Sequence, residues 1–138
     1  MLKAKYYDNE DLARTLLKTA IKQHRKMWSW IADKTEEQRR VVRKSEFFEA
    51  HPEEPRPVYD CYACDFVYEI SLRDRSGLKC RYCPFDWGSN SRTVRVNCES
   101  WHSPYKHWDA QRMVNRDWKE AAKYARMIAE IPLKEVVK

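Results

Sequence analysis

Apolar residues recur at steps of three and four from Leu12 through Leu16, Leu17, Ala20, Ile21, Met27 and Trp28 to Ile31, with His24 filling the gap in the stripe. That spacing predicts one face of an amphipathic helix of about 22 residues. Asp8 or Asn9 suits its N-cap, Glu10 and Asp11 suit its positive first turn, and Lys18, Lys22, Arg25 and Lys26 fill the other face. Asp33-Lys34-Thr35 interrupts the stripe. Asp33 with Glu36, or Thr35 with Gln38, fits a capping box, so a second helix is expected to start there and to carry Val41, Val42, Ser45 and Phe48. Ser45 to Glu49 could open a short turn of its own. The connection is short, which predicts a helical hairpin over residues 8–51.

His51 to Pro57 holds three prolines, which stop a helix and favour extended chain. Beyond it the period changes. Phe66 to Ser71 alternates and is rich in β-formers, Arg73 to Gly77 reads as a turn, and Thr93 to Val96 reads as another short strand. Helical signals return at Ser103-Pro104, a capping serine followed by proline at the first helical position. Tyr105, Trp108 and Met113 fall on that helix. Asn115 is the expected cap of a last helix whose apolar side is Trp118, Ala122, Ala125, Ile128 and Ala129, and Pro132 ends it.

The cysteines add chemistry to this outline. Cys61 and Cys64 form one Cys-x-x-Cys turn, and Cys80 and Cys83 form another after fifteen intervening residues. Two such turns face to face supply four sulfurs at the tetrahedral geometry that suits Zn²⁺, and the separation is that of zinc ribbons and related knuckles. A redox pair or a disulfide framework fits this spacing and the inferred reducing compartment less well. Phe85 and Trp87 are expected to cover the metal and keep water out. Cys98 is the odd cysteine. Four thiolates already complete a tetrahedron, so it reads as a buried thiol near the site, with exchange against one knuckle cysteine as the alternative. His24 as a ligand or base is weighed against a half-buried helix residue, and the second reading is preferred.

The expected fold is therefore α+β and mainly α: one domain over 1–138, with an N-terminal helical hairpin and C-terminal helices (103–132) packed on a small zinc-ribbon-like module (58–101). The chain has 138 residues, 43% hydrophobic and 35% charged, enough for a modest core. Its six tryptophans and eight tyrosines allow that core to be aromatic. No window is apolar enough to span a membrane, and Met1 to Tyr6 lacks a secretory run, so the expected compartment is the cytoplasm, of a host cell if the chain is phage-encoded. The net charge of +6 lies in the flanks. It fits attraction to nucleic acid or an acidic protein, but equally the mixed faces of ordinary surface helices.

Several stretches together carry a resemblance: His24 to Ala32, the two knuckles, Cys83-Pro84-Phe85-Asp86-Trp87-Gly88, and Tyr105-x-x-Trp108 before a helix ending Ile128-Ala129-Glu130-Ile131-Pro132. Over residues 20–132 the chain resembles small zinc-binding proteins encoded by bacteriophages and prophages of Gram-positive bacteria, most without assigned function. The resemblance implies a phage origin and a structural zinc at Cys61, Cys64, Cys80 and Cys83. It supplies no catalytic residue.

Three function classes follow. The first is a non-enzymatic binding protein whose partner, by the phage analogy, is a host or defence protein that it inhibits or redirects. The second is a nucleic-acid-binding or transcription-related factor. There, Arg73, Arg75, Lys79 and Arg81 would grip phosphates beside Tyr82, with Arg92 and Arg95 following and Asp65, Glu69, Asp74 and Asp86 weakening the field. The third is an enzyme, and it is disfavoured. His24, His51, His102 and His107 do not form a His-Asn-His pattern, Gly77 and Gly88 make no phosphate loop, and a four-cysteine zinc has no open position for water.

Overall fold

The computed structural model describes residues 10–57, 62, 84–87, 98 and 103–133. Within them the chain is mainly helical, with four α-helices: α1 (Glu10–Gln38), α2 (Lys44–Ala50), α3 (Pro104–Ala110) and α4 (Trp118–Ala129). A π-helical segment, Gln111–Asn115, continues α3 directly. Among the described residues the β structure is an isolated antiparallel bridge between Phe85 and Leu133. The expected strands at 66–71 and 93–96 lie outside the described residues, as do the expected caps Asp8 and Asn9.

α1 differs from the expectation. It does not end near Ile31 but runs for 29 residues, straight through Asp33-Lys34-Thr35. Neither Gly nor Pro occurs between Glu10 and Gln38, so nothing in the backbone forces a stop. The side chains that resemble caps are used elsewhere. Arg126 Nη2 donates to Asp33 at 2.9 Å and to Glu36 at 3.2 Å. Thr35 is buried, and its hydroxyl oxygen accepts the Val42 N–H at 3.3 Å. The helix ends where Arg39 takes a left-handed conformation, φ 52°. Val41 and Val42 therefore precede the second helix instead of lying on it. Two adjacent β-branched residues favour extended chain, and the turn buries Val42. α2 is seven residues long and begins beside Ser45, where the sequence suggests a short turn.

The chain divides into two compact units. Among the described residues, the first holds α1 as far as His24, together with Pro57, Tyr62, Pro84 to Asp86, Pro132 and Leu133. Here His24 stacks on Phe85 with ring centroids 4.1 Å apart, and the Asp86 N–H donates to the Pro132 carbonyl at 2.8 Å. His24 is fully buried in this stack rather than half-buried.

The second unit holds the rest of α1, with α2, α3, the π-helical segment and α4. Its centre is aromatic. Trp28 meets Trp108 edge to face at 4.8 Å and Tyr105 at 6.0 Å, the geometry the ring quadrupoles favour. Lys44 Nζ lies 4.6 Å from the Tyr105 ring centroid and 5.5 Å from that of Trp28. α2 folds back so that Phe47 meets Trp30 edge to face at 5.6 Å and stacks on His51 at 4.4 Å. The proline-rich connector is fastened by an ion pair from Lys26 to Glu54 and by Arg56 lying 5.3 Å from the Phe48 ring centroid.

The C-terminal helices follow their caps. Ser103 Oγ accepts the Lys106 N–H at 3.1 Å and donates to the Cys98 carbonyl, and Pro104 opens α3 as expected. The cap of α4 is Asp117 rather than Asn115: its carboxylate accepts from Lys119 and Glu120 at 3.0 and 3.3 Å. Asn115 instead closes the π-helical segment, whose C-cap Arg116 donates its N–H to the Gln111 carbonyl five residues back at 2.8 Å. α4 buries Ala121, Ala122, Ala125, Ile128 and Ala129. The short alanines let it approach α3 closely, and His107 stacks on Tyr124 at 4.7 Å.

Candidate functional site

The four expected zinc ligands, Cys61, Cys64, Cys80 and Cys83, lie outside the described residues, as do Arg73, Arg75, Lys79, Arg81 and Tyr82. Among the described residues no group of three or more His, Cys, Asp or Glu could hold a metal. Two flanking positions lie among the described residues: Phe85 and Trp87 are both buried. Cys98 is half-buried. The described histidines serve packing: His24 stacks on Phe85, His107 on Tyr124, and His51 on Phe47, with His51 Nδ1 2.9 Å from the Phe47 carbonyl.

The structure adds a site that the sequence does not announce. Where α1 ends, the chain turns through Arg39 and Arg40, runs extended to Arg43, and enters α2. Far along the chain the π-helical segment presents Arg112 and is capped by Arg116. These two stretches line a groove of about 470 Å³, bounded by Arg39, Arg40, Val41, Arg43, Ser45, Glu46, Arg112 and Arg116. Five of its lining residues are arginines and one is a glutamate.

The guanidiniums are not equivalent. Arg40 grips Glu46 with two nitrogens, one at 3.2 Å and one closer. The hydrogen bonds from Arg40 hold the Glu46 carboxyl below its ordinary range, with the Arg43 backbone N–H, 2.7 Å away, adding to the effect and partial burial opposing it. Arg112 Nε and Nη2 both reach Asp109 Oδ1, at 2.9 and 2.7 Å. Arg39, Arg43 and Arg116 form no ion pair with a carboxylate among the described residues, although the charge of Arg43 also helps to lower Glu46. Two of these three, Arg39 and Arg116, stand at φ 52°. That conformation costs a non-glycine residue on the order of 1 kcal/mol. One signal for this groove was present in the sequence, the run Arg39-Arg40-x-x-Arg43, but its other half lies far away along the chain.

Glu46 both opens α2, by accepting the Arg43 N–H, and partners Arg40. Glu46→Ala is expected to lower stability by about 1 kcal/mol at neutral pH, a value kept small because Arg40 is half exposed. A carboxyl lowered on folding contributes stability that is complete above its unfolded value, ordinarily 4.5, and is lost as pH falls through its folded value. The difference between wild type and variant should therefore shrink in acid. Urea melts at several pH values would show it, and a gap that widens toward acid would contradict this assignment.

Comparisons with protein-family models, with curated proteins and with solved structures find no match. Among the described residues no helix is long and apolar enough to cross a membrane.

Proposed function

We propose that the chain is a zinc-stabilised, non-enzymatic binding protein of the phage type, which docks on a host or defence protein and inhibits or redirects it. Zinc would be held by Cys61, Cys64, Cys80 and Cys83 in a ribbon-like module between the helical segments. The observation that carries the docking reading is the π-helical segment. It holds Met113 62% and Val114 75% exposed, between Arg112 and Arg116, on a backbone fixed by the Arg116 N–H to Gln111. Methionine and arginine are enriched at protein interfaces, and a fixed display lowers the ordering cost of binding. The second reading, a nucleic-acid-binding factor, draws on the net charge of +6 and on Arg73, Arg75, Lys79 and Arg81.

The test is affinity capture of the full chain from host lysate, with and without nuclease, repeated with Met113→Asp/Val114→Asp. One stoichiometric protein should survive nuclease and bind the variant about 30-fold more weakly, the loss of a hot spot of about 2 kcal/mol. Nucleic acid recovered alone, or a captured protein indifferent to the variant, would overturn the docking reading.

A further inference from the structure

The arginine groove has a property that the docking reading does not use. Arg39, Arg43 and Arg116, which form no ion pair among the described residues, line a space of about 470 Å³ together with Arg40 and Arg112. That volume lies within the range of small-ligand sites, about 300–1,000 Å³. Like charges so gathered repel one another, and a counter-anion relieves that repulsion. Its charge must be dense, because separate carboxylates bring one charge each and must all find room. A chain of phosphoryl groups brings several charges in a narrow width. Guanidinium also offers paired N–H donors in a planar fork that matches phosphate oxygens two at a time, which lysine ammonium does not.

The backbone supplies an independent indication. Helix ends favour Gly or Asn in the left-handed conformation, yet Arg39 and Arg116 occupy it at two separate ends that border the groove. In both places a residue that is locally unfavourable stands where its charge serves the groove. The carboxylates nearby already have partners: Glu46, which lines the groove, is occupied by Arg40 and the Arg43 N–H, and Asp109 by Arg112.

The geometry points to a binding site for a ligand with two or three adjacent phosphoryl groups, held by Arg39, Arg43 and Arg116 with Arg40 and Arg112 in support. A free oligophosphate and a nucleoside triphosphate share this chemistry. The site needs no partner protein, although Arg112 and Arg116 border both it and the proposed docking face.

The experiment is calorimetric titration of the full chain, purified with its metal, using inorganic triphosphate, adenosine triphosphate, orthophosphate and a thymidine dodecamer. Triphosphate should bind saturably with one site per chain, and orthophosphate at least about tenfold more weakly, the effect of losing one charge-assisted contact or more. Arg43→Gln/Arg116→Asn should weaken triphosphate by about tenfold or more while the thermal melt is kept, since Asn tolerates the left-handed conformation at 116. Glu46→Gln should bind at least as well as wild type, because it releases Arg40. Equal affinity for the two triphosphates assigns the site to the phosphates alone, and tighter adenosine triphosphate adds a nucleoside contact; both support the inference. It is overturned if triphosphate gives no saturable binding, if the double arginine variant binds it unchanged, or if Glu46→Gln weakens it as much as the arginine changes do. It is also overturned if the dodecamer binds through the same arginines and triphosphate does not, which would assign the groove to a nucleic-acid backbone.

Discussion

Trp28→Ala is expected to remove about 4–5 kcal/mol of stability, among the largest effects for a single side chain of the helical core. Trp28 is 1% exposed and sits where α1, α2 and α3 converge. Truncating a buried tryptophan costs about 3–5 kcal/mol through lost transfer energy and the cavity left behind. The edge-to-face contact with Trp108 adds about 0.5–1.5 kcal/mol. Lys44 would lose one of its two rings as well. A domain of this kind is stable by about 5–15 kcal/mol in all, so the variant should stand near or past its unfolding midpoint at 25 °C. Trp28→Phe keeps a ring in the same place and should cost clearly less. Val114→Ala, at an exposed position, should change stability by no more than about 0.5 kcal/mol. Urea titration followed by circular dichroism at 222 nm measures all three. A Trp28→Ala midpoint indistinguishable from that of Val114→Ala would show that the aromatic centre does not hold the unit together.

The second large effect is expected from the proposed zinc. A structural zinc contributes about 10–16 kcal/mol of apparent binding free energy near neutral pH, comparable to or above the whole stability of a domain. The sequence from Val58 to Trp101 has short strand patterns, several turn signals and little apolar mass with which to offset its ordering entropy. A strong chelator should therefore abolish amide protection across Cys61 to Trp101. Protection around Trp28, Trp108 and the alanine face of α4 should persist, because those residues have a core of their own. Elemental analysis of anaerobically purified protein should give one zinc per chain, retained in Cys98→Ser. Finding no zinc, or finding Cys61 to Trp101 equally protected with and without chelator, would remove the metal from its organising role.

Local signals were legible where one residue type has one common use. Ser103-Pro104 is such a case, and α3 opens there. The stripes of α1 and α4 were legible because burial imposes the helical period on a long segment. Boundaries failed where one residue type has two uses. Asp33 and Thr35 look like caps, but inside a helix such side chains are equally suited to reach a neighbouring segment, and here they bind Arg126 and the Val42 N–H. Asn115 was the expected cap of the last helix, and Asp117 is the residue that caps it. The choice depended on Arg116 adopting a left-handed conformation, which arginine does not signal. The groove was illegible for a different reason. Arg39 to Arg43 and Arg112 to Arg116 are two short basic stretches far apart along the chain, and only the fold brings them together.

The left-handed arginines have an evolutionary consequence. At positions 39 and 116 the change that best relieves the backbone, to glycine or asparagine, is also the change that discharges the groove. Durability and charge are thus set against each other at the same two codons. A lineage of this chain under pressure from heat alone would drift toward small residues there and lose its cluster of cations. A lineage that kept both arginines while the rest of its surface diverged would record continued selection for what the groove holds.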